Sequence, residues 1–229
     1  MEPLSDRLHQ IRERIGAAAK RSGRPAESVR LLAVTKGVPV EIVRDAVALG
    51  LRELGESRIQ EAEGKIASVG SGVRWHLVGH LQTNKALRAV QLFDAIHSVD
   101  SERIAAELAK RAVAAGRTPQ CFVEVNTSGD AAKFGVPPSE ALALWARLRE
   151  LRPLKLAGFM TIGPLAGGDE GARASFRALA AIRDAAMRGG GREDECALSM
   201  GMSDDFEIAV EEGAHWVRIG SALFGERRA

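Results

Sequence analysis

Short apolar segments and amphipathic segments alternate along the whole chain, and this pattern limits its possible folds more than any other feature. Eight apolar runs of strand length are separated by stretches whose hydrophobic residues recur at helical spacing. Strands that alternate with helices pair in parallel, because parallel neighbours need long crossover connections. Eight such units predict a closed (β/α)8 barrel, a TIM barrel. The alternative, a doubly wound open sheet, usually stops at about five or six strands.

One domain accounts for the whole pattern. The predicted strands are 31–34, 51–54, 73–78, 95–99, 121–125, 154–162, 197–200 and 216–219. One further amphipathic helix comes first, with Leu4, Leu8, Ile11 and Ile15 on one face. We expect a single domain over residues 1–229, with the extra N-terminal helix in 1–23 capping the bottom or side of a barrel in 30–225. In this arrangement the second strand is very short and the last helix is truncated.

Charge and targeting features exclude several classes of protein. The 32 Lys and Arg residues nearly balance the 30 Asp and Glu residues, are spread along the chain and have few aromatic neighbours, which disfavours nucleic-acid binding. The charged N-terminus lacks the apolar region of a signal peptide, and no run approaches the roughly 18 apolar residues of a membrane span. The two cysteines, Cys121 and Cys196, are interpreted as buried thiols in a reducing cytosol rather than as a disulfide or a two-cysteine metal site. We therefore expect a cytoplasmic protein that binds neither nucleic acid nor membrane.

Lys36 is the first candidate for a chemical role. The active site of a (β/α)8 barrel lies at the C-terminal ends of its strands, and Lys36 directly follows an apolar strand. A partly desolvated lysine amine at a barrel mouth is suited to Schiff-base chemistry. The alternative is a surface lysine that happens to end a strand.

The ends of the last two strands predict a phosphate site. The seventh strand ends in Ser199-Met200-Gly201-Met202-Ser203, and the eighth ends in Gly220-Ser221 before a short helix. Barrels often bind phosphate there, with glycines allowing close approach of the backbone and serines supplying hydroxyls. Strand 8 adjoins strand 1 in a closed barrel, so Lys36 would lie beside this site. Lysine plus phosphate indicates a pyridoxal phosphate (PLP) protein or a Schiff-base aldolase; alternatively, the Gly-Ser turns merely end the strands.

Arg218 bears on which of these chemistries is possible. An arginine facing the pyridine nitrogen of PLP keeps that nitrogen unprotonated and makes the ring a poorer electron sink. It could instead form an ion pair at the barrel mouth. His80 could face the site, and Asn84 could cap a helix or reach the ligand. His76 and His80 are four residues apart but lie on a strand and its loop, which disfavours a metal pair.

At these residues the sequence resembles the pyridoxal phosphate homeostasis protein family (the YggS- and PROSC-like proteins). The matching stretches are LLAVTK (31–36), LGE (54–56), WHLVGHLQTNK (75–85), HSVDS (97–101), VNTSG (125–129), KFG (133–135), GFMTIG (158–163), LSMGMSDDF (198–206) and WVRIGSALFG (216–225). The resemblance implies a barrel like the N-terminal domain of alanine racemase, with PLP held as an internal aldimine on Lys36. It also implies a monomer that regulates vitamin B6 pools without established catalytic turnover, with PLP-dependent apoenzymes as possible recipients.

The resemblance also implies the cofactor-binding residues. They are Lys36, Ser57, His80, Asn84, Met160, Ser199, Met200, Arg218, Gly220 and Ser221. Two positions depart from the family pattern. Ser57 stands where the family commonly has asparagine, which puts any amide contact in doubt, and Ser221 stands where threonine is frequent, which keeps the hydroxyl.

An active racemase is a less favoured alternative. The two-base mechanism of alanine racemase uses the lysine and a tyrosine from a second domain, and this chain contains no tyrosine. A racemase would need another base, such as His80. A Schiff-base aldolase of a phosphorylated sugar would share the lysine and the phosphate site but would need no PLP.

Overall fold

The computed structural model describes residues 2–164 and 166–225. Within them, eight parallel strands close into a barrel in which each strand pairs with the next along the chain. The strands are β1 (Arg30–Val34), β2 (Glu53–Glu56), β3 (Arg74–Leu77), β4 (Ala95–Val99), β5 (Gln120–Glu124), β6 (Lys155–Met160), β7 (Ala197–Ser199) and β8 (Trp216–Ile219). Pairing of Leu32 in β1 with Arg218 in β8 closes the ring, so the (β/α)8 prediction is confirmed and the open sheet is excluded.

Helices surround the strands, as the alternating pattern predicts. They are α1 (Leu4–Arg21), α2 (Val40–Ala48), α3 (Ile59–Val69), α4 (Ala86–Leu92), α5 (Glu102–Ala115), α6 (Ala141–Glu150), α7 (Gly168–Arg188), α8 (Phe206–Glu211) and α9 (Ser221–Phe224). Short 3-10 turns precede α4 and α6, at Thr83–Lys85 and Pro138–Glu140. No described helix is both long and apolar enough to cross a bilayer.

The second strand differs most from its predicted position, by two residues. It spans Glu53–Glu56 rather than 51–54 because Leu51 completes the end of α2. The Leu51 N–H donates to the Ala46 carbonyl, and Gly50 takes a φ of 93° that few other residues adopt. The chain therefore becomes extended later than its hydrophobic residues suggest.

Two apolar layers hold the barrel together. The larger lies between strands and helices and includes the buried face of α1, formed by Leu8, Ile11 and Ile15. The smaller fills the barrel interior with Leu32, Phe122, Ala157, Met160 and Trp216. Helix α1 packs along the side of the barrel against α8 and α9. Both cysteines are buried free thiols.

Candidate functional site

A cavity of about 300 Å³ opens at the C-terminal ends of the strands. Its lining residues follow or end six of the strands: Val34, Lys36, Ser57, Val78, Gly79, Ile162, Met202, Ser203, Asp204, Arg218, Gly220 and Ser221. This volume is at the lower end of the range for small-molecule sites. The structure thus brings together five of the predicted site residues: Lys36, Ser57, Arg218, Gly220 and Ser221.

A buried network holds the turn that carries Lys36, which is itself half-buried. The Lys65 ammonium on α3 donates to the Thr35 carbonyl, to Glu56 at 2.7 Å and to Glu61 at 2.6 Å. The Thr35 hydroxyl donates to the same Glu56 oxygen at 2.5 Å, and Glu61 accepts the N–H of Gly37. The backbone on both sides of Lys36 is therefore tied to one buried ammonium group.

Arg218 lies at the floor of the cavity with only 5% of its surface exposed. Its Nη1 donates to the Ser199 carbonyl at 2.8 Å and to the Ser199 hydroxyl at 3.0 Å, and its Nη2 donates to the Thr161 carbonyl at 2.8 Å. Burial lowers the pKa of Arg218 to about 10, partly offset by the negative charges of Asp205 and Glu124. The guanidinium is therefore still positive near neutral pH.

Glu124 is a second buried ionisable group near Arg218. Burial and the charge of Asp100 together raise its pKa to about 7, against the opposing positive charge of Arg218. Its Oε2 atom is buried without a hydrogen-bond partner. Glu124 does not line the cavity, so it acts on the site through charge.

The loops after β7 and β8 meet at the Ser203 hydroxyl. That oxygen accepts the N–H groups of Gly220 at 3.3 Å and Ala222 at 3.1 Å. Gly201 has a φ of 90°, and a Cβ atom there would lie 2.4 Å from the Cβ of Ala209 on α8. The glycine after β7 is therefore required for helix packing, and of Gly201 and Gly220 it is Gly220 that borders the cavity.

Close contact between the β2 and β3 loops shapes the opposite wall. A Cβ atom on Gly79 would lie 2.2 Å from the carbonyl oxygen of Ser57. A larger residue at position 79 would therefore push the two loops apart. This contact fixes Ser57 at the rim, where the sequence placed it.

The other five predicted site residues do not line the cavity. Met160 and Met200 are fully buried in apolar layers, and Ser199 lies beneath Arg218. His80 is exposed, lies 3.3 Å from Asp100 and stacks on Phe134. Asn84 is exposed in the 3-10 turn before α4. Roles of these residues in ligand binding remain predictions.

Sequence reasoning did not assign Ile162, Met202 or Asp204 to the site, although all three line the cavity. Met202 and Asp204 belong to the same loop as Ser203, and the backbone N–H of Met202 is held at 2.6 Å by a carboxylate oxygen of Asp205. The acidic pair at 204 and 205, which reads as an ordinary helix start, was the available signal. Asp205 therefore anchors the backbone of the loop that carries Met202 and Asp204.

Cavities also occur at the other end of the barrel. One of about 490 Å³ lies among residues at the N-terminal ends of the strands, including Arg30, His215 and Trp216. Its volume exceeds that of the mouth cavity. The mouth is nevertheless the better candidate, because barrel active sites lie at the C-terminal ends of the strands and the lysine lies there.

Comparison with known proteins gives the same family throughout. Residues 7–228 match the family of the alanine racemase N-terminal domain. The pyridoxal phosphate homeostasis protein of Aquifex aeolicus is 40% identical over 227 residues, covering 97% of this chain and 98% of the relative. The protein of the same name from Pseudomonas aeruginosa is 39% identical over 228 residues, covering 99% of this chain and 97% of the relative.

Solved structures extend the comparison to the fold. PipY of Synechococcus elongatus, solved with PLP bound, superposes with a TM-score of 0.83 at 36% identity, covering 97% of this chain and 100% of PipY. Alanine racemase of Clostridium difficile gives a TM-score of 0.76 at 17% identity, covering 98% of this chain but 58% of the racemase. That second likeness concerns the barrel fold alone.

Proposed function

This chain belongs to the alanine racemase N-terminal domain family and, within it, to the pyridoxal phosphate homeostasis proteins, and on that premise we propose that it binds PLP covalently through Lys36 and serves PLP (vitamin B6) homeostasis. The observation that carries the proposal is the convergence of Lys36, Arg218 and the β7 and β8 loops on one cavity of about 300 Å³. PLP bound to PipY, a relative at 36% identity, supports the identity of the ligand.

The residues of the cavity fit this cofactor in the chemistry of their donors. Lys36 supplies a primary amine, and Ser203 and Ser221 supply hydroxyls beside the backbone of Gly220. Hydroxyls and backbone N–H groups in glycine-containing turns are the usual phosphate ligands of barrels. Apolar side chains, Val34, Val78, Ile162 and Met202, provide walls for a flat ring. PLP, when bound, supplies an aldehyde that condenses reversibly with amines and a ring that withdraws electrons.

Each group of residues then has a distinct task. Lys36 holds the cofactor, on a turn whose backbone is fixed by Lys65. The serines and Gly220 bind the phosphate, and Arg218 presents a positive charge at the cavity floor. A cation facing the pyridine nitrogen disfavours its protonation and so limits carbanion chemistry.

The protein is proposed to hold and release PLP rather than to turn over a substrate. No tyrosine occurs in the sequence, so the second base of alanine racemase has no counterpart in this chain. His80, the substitute considered from the sequence, does not line the cavity and is engaged by Asp100 and Phe134. These observations support a carrier or regulator whose recipients are PLP-dependent apoenzymes.

Reductive trapping tests the binding step. Purified protein titrated with PLP should turn yellow, and borohydride should leave a stable pyridoxyl group on the peptide containing Lys36, detected by mass spectrometry. Lys36→Met should abolish the trapped adduct, whereas Lys110→Met, which removes an exposed lysine on α5, should leave it unchanged. Wild-type protein that stays colourless, or an adduct found mainly on other lysines, would overturn the proposal.

Transfer to an apoenzyme tests the release step. PLP-loaded protein and an equal concentration of free PLP are compared as activators of a PLP-dependent apoenzyme, with a PLP-scavenging amine present. We expect protected delivery, meaning that activation by loaded protein survives the scavenger better than activation by free PLP. Equal loss of activation in the two arms would contradict a carrier role, and measurable α-hydrogen exchange from amino acids would instead favour an enzyme.

A further inference from the structure

Hydrogen-bonded side chains cross the barrel interior from its lower end to Arg218. Glu53, the first residue of β2, lies 2.7 Å from Nε2 of His76, and Nδ1 of His76 lies 2.9 Å from Nε2 of His97. Nδ1 of His97 lies 2.9 Å from the Ser199 hydroxyl, which accepts a hydrogen bond from Arg218 at 3.0 Å. Five side chains from five strands are thus joined in series.

Aromatic packing holds both imidazole rings in place. The His97 ring stacks on Phe122 with 4.2 Å between centroids, and the His76 ring lies 5.1 Å from the ring of Trp216. Both histidines are fully buried. Burial lowers the pKa of His76 and lowers that of His97 well below its usual value, so both rings are neutral near pH 7.

Donor and acceptor chemistry fixes the direction of the chain. An arginine N–H can only donate, so the Ser199 oxygen accepts from Arg218, and its own hydrogen is left for Nδ1 of His97. His97 then carries its proton on Nε2 and donates to Nδ1 of His76. His76 in turn carries its proton on Nε2 and donates to Glu53, which completes a chain with every bond matched.

The reverse direction requires a proton on Glu53. With both histidines protonated on Nδ1, an unprotonated His76 Nε2 would face the carboxylate, and two lone pairs would meet at 2.7 Å. Although burial alone would raise it, the pKa of Glu53 is lowered overall by the hydrogen bond from His76 and by the positive charges of Arg74 and Arg30. An ionised Glu53 therefore selects one tautomer of each histidine.

We propose that Glu53, His76 and His97 are positioning residues that act in series through Ser199, so that a carboxylate at the lower end of the barrel sets the orientation of Arg218 at the floor of the PLP cavity. This proposal rests on the proposed function, because it treats Arg218 as a residue that faces PLP. Its distinctive consequence is that a change at Glu53, far from the mouth, alters both the histidine tautomers and the binding of PLP.

Nitrogen-15 NMR of the cofactor-free protein tests the relay without PLP. In the wild type, His76 and His97 should show the shifts of neutral rings protonated on Nε2, assigned with single-histidine variants. Glu53→Gln, whose amide can donate as well as accept, should give a mixture of tautomers at both rings. Glu27→Gln is the matched control and should leave both rings unchanged. Glu27 and Glu53 both line a separate cavity of about 460 Å³ at the lower end of the barrel, but Glu27 does not belong to the hydrogen-bonded chain.

PLP titration of the same proteins tests the coupling to the site. We expect Glu53→Gln to weaken PLP binding about three- to tenfold, as for the loss of one hydrogen bond, and to shift the pH dependence of the absorbance of bound PLP. Residues that act in series are not additive, so Glu53→Gln combined with Ser199→Ala should bind no more weakly than Ser199→Ala alone. Melting temperatures of the cofactor-free variants separate these effects from unfolding.

Each outcome decides one of the two proposals. Wild-type histidine tautomers in Glu53→Gln, or PLP binding and spectra equal to those of Glu27→Gln, would overturn the relay. Additive effects of Glu53→Gln and Ser199→Ala would also overturn it. Failure of the wild-type protein itself to bind PLP would overturn the proposed function, while the tautomers of the cofactor-free protein would still decide the direction of the chain.

Discussion

Replacing Lys65 by methionine tests whether one buried ammonium group holds the turn that carries Lys36. Methionine keeps most of the length and apolar surface of the side chain but removes all three hydrogen bonds, to Thr35, Glu56 and Glu61. The Lys65 side chain is 9% exposed and that of Glu56 is 0% exposed. The substitution therefore leaves a carboxylate that is fully buried and retains the Thr35 hydroxyl as a donor.

Breaking a buried ion pair by removing one partner typically costs about 3–5 kcal/mol. Two features of the structure place the expected loss near 3 kcal/mol, at the lower limit. Glu61 is 30% exposed and can be hydrated. Burial already raises the pKa of Glu56 against the opposing effects of Lys65 and Thr35, so the carboxyl can take up a proton when the ammonium is lost. A loss of this size is a large fraction of a typical domain stability of about 5–15 kcal/mol.

The sign of the pH dependence follows from the same group. A carboxyl whose pKa is raised by folding stabilises the protein below its unfolded pKa, and this contribution is lost as pH rises through the folded value. Without Lys65 the pKa of Glu56 rises further, so the difference in stability between variant and wild type should grow as pH rises above the range in which an exposed carboxyl titrates. Urea unfolding followed by circular dichroism at several pH values measures it.

Two further variants separate the buried charge from the lost packing. Glu56→Gln combined with Lys65→Met removes the uncompensated carboxylate and should recover part of the stability, so the two changes should not be additive. Glu61→Gln should cost less, because Glu61 is partly exposed. Ordinary surface substitutions change the free energy of unfolding by up to about 0.5 kcal/mol. A Lys65→Met variant within that range of the wild type, or one whose loss of stability does not depend on pH, would contradict this reasoning.

Other expectations follow from single contacts. Gly201→Ala should lose about 2–5 kcal/mol of stability in thermal or urea unfolding, because its φ is positive and the new methyl group would lie 2.4 Å from Ala209; an unchanged melting temperature would refute this. Ser203→Ala should weaken binding of PLP more than binding of unphosphorylated pyridoxal, because the Ser203 hydroxyl that accepts from Gly220 borders the cavity. Titration with the two ligands measures this, and equal losses of affinity for both would count against a phosphate role. Burial raises the pKa of the Cys121 thiol to about 12, so iodoacetamide at pH 8 should modify it only after unfolding, and rapid labelling of the folded protein would contradict the structure.

The fold was largely predictable, because hydrophobic periodicity reports which faces are buried. Both β4 and β8 begin and end where the pattern placed them. The error at β2 arose where tertiary contacts outweighed local signal. Leu51 has the apolar character of a strand residue, but it is buried at the end of α2, where its N–H donates to the Ala46 carbonyl.

The site was predictable where the chemistry lies at strand ends. Lys36, Arg218 and the Gly220-Ser221 turn lie around the cavity as the barrel topology requires. Loop paths were not predictable, so Met202 was missed. The buried histidines were missed for another reason. Both faces of a parallel barrel strand are buried, so the hydrophobic pattern does not show which side chains point into the barrel interior. A histidine within each of two adjacent apolar strands was the available signal, because a buried polar ring needs a partner.

The packing of α1 against α8 and α9 has a consequence for synthesis on the ribosome. Helix α1 buries Leu8, Ile11 and Ile15 against two helices that are synthesised after β7, and Arg14 and Arg21 pair with Glu207 and Glu211 on α8. Strand β1 likewise pairs with β8, so a nascent chain has an open strand edge and an uncovered apolar face on α1 until β8 and its neighbouring helices have been made. Closing the barrel therefore depends on contacts between segments far apart in sequence, a kind of fold that forms slowly and is exposed to aggregation while it forms.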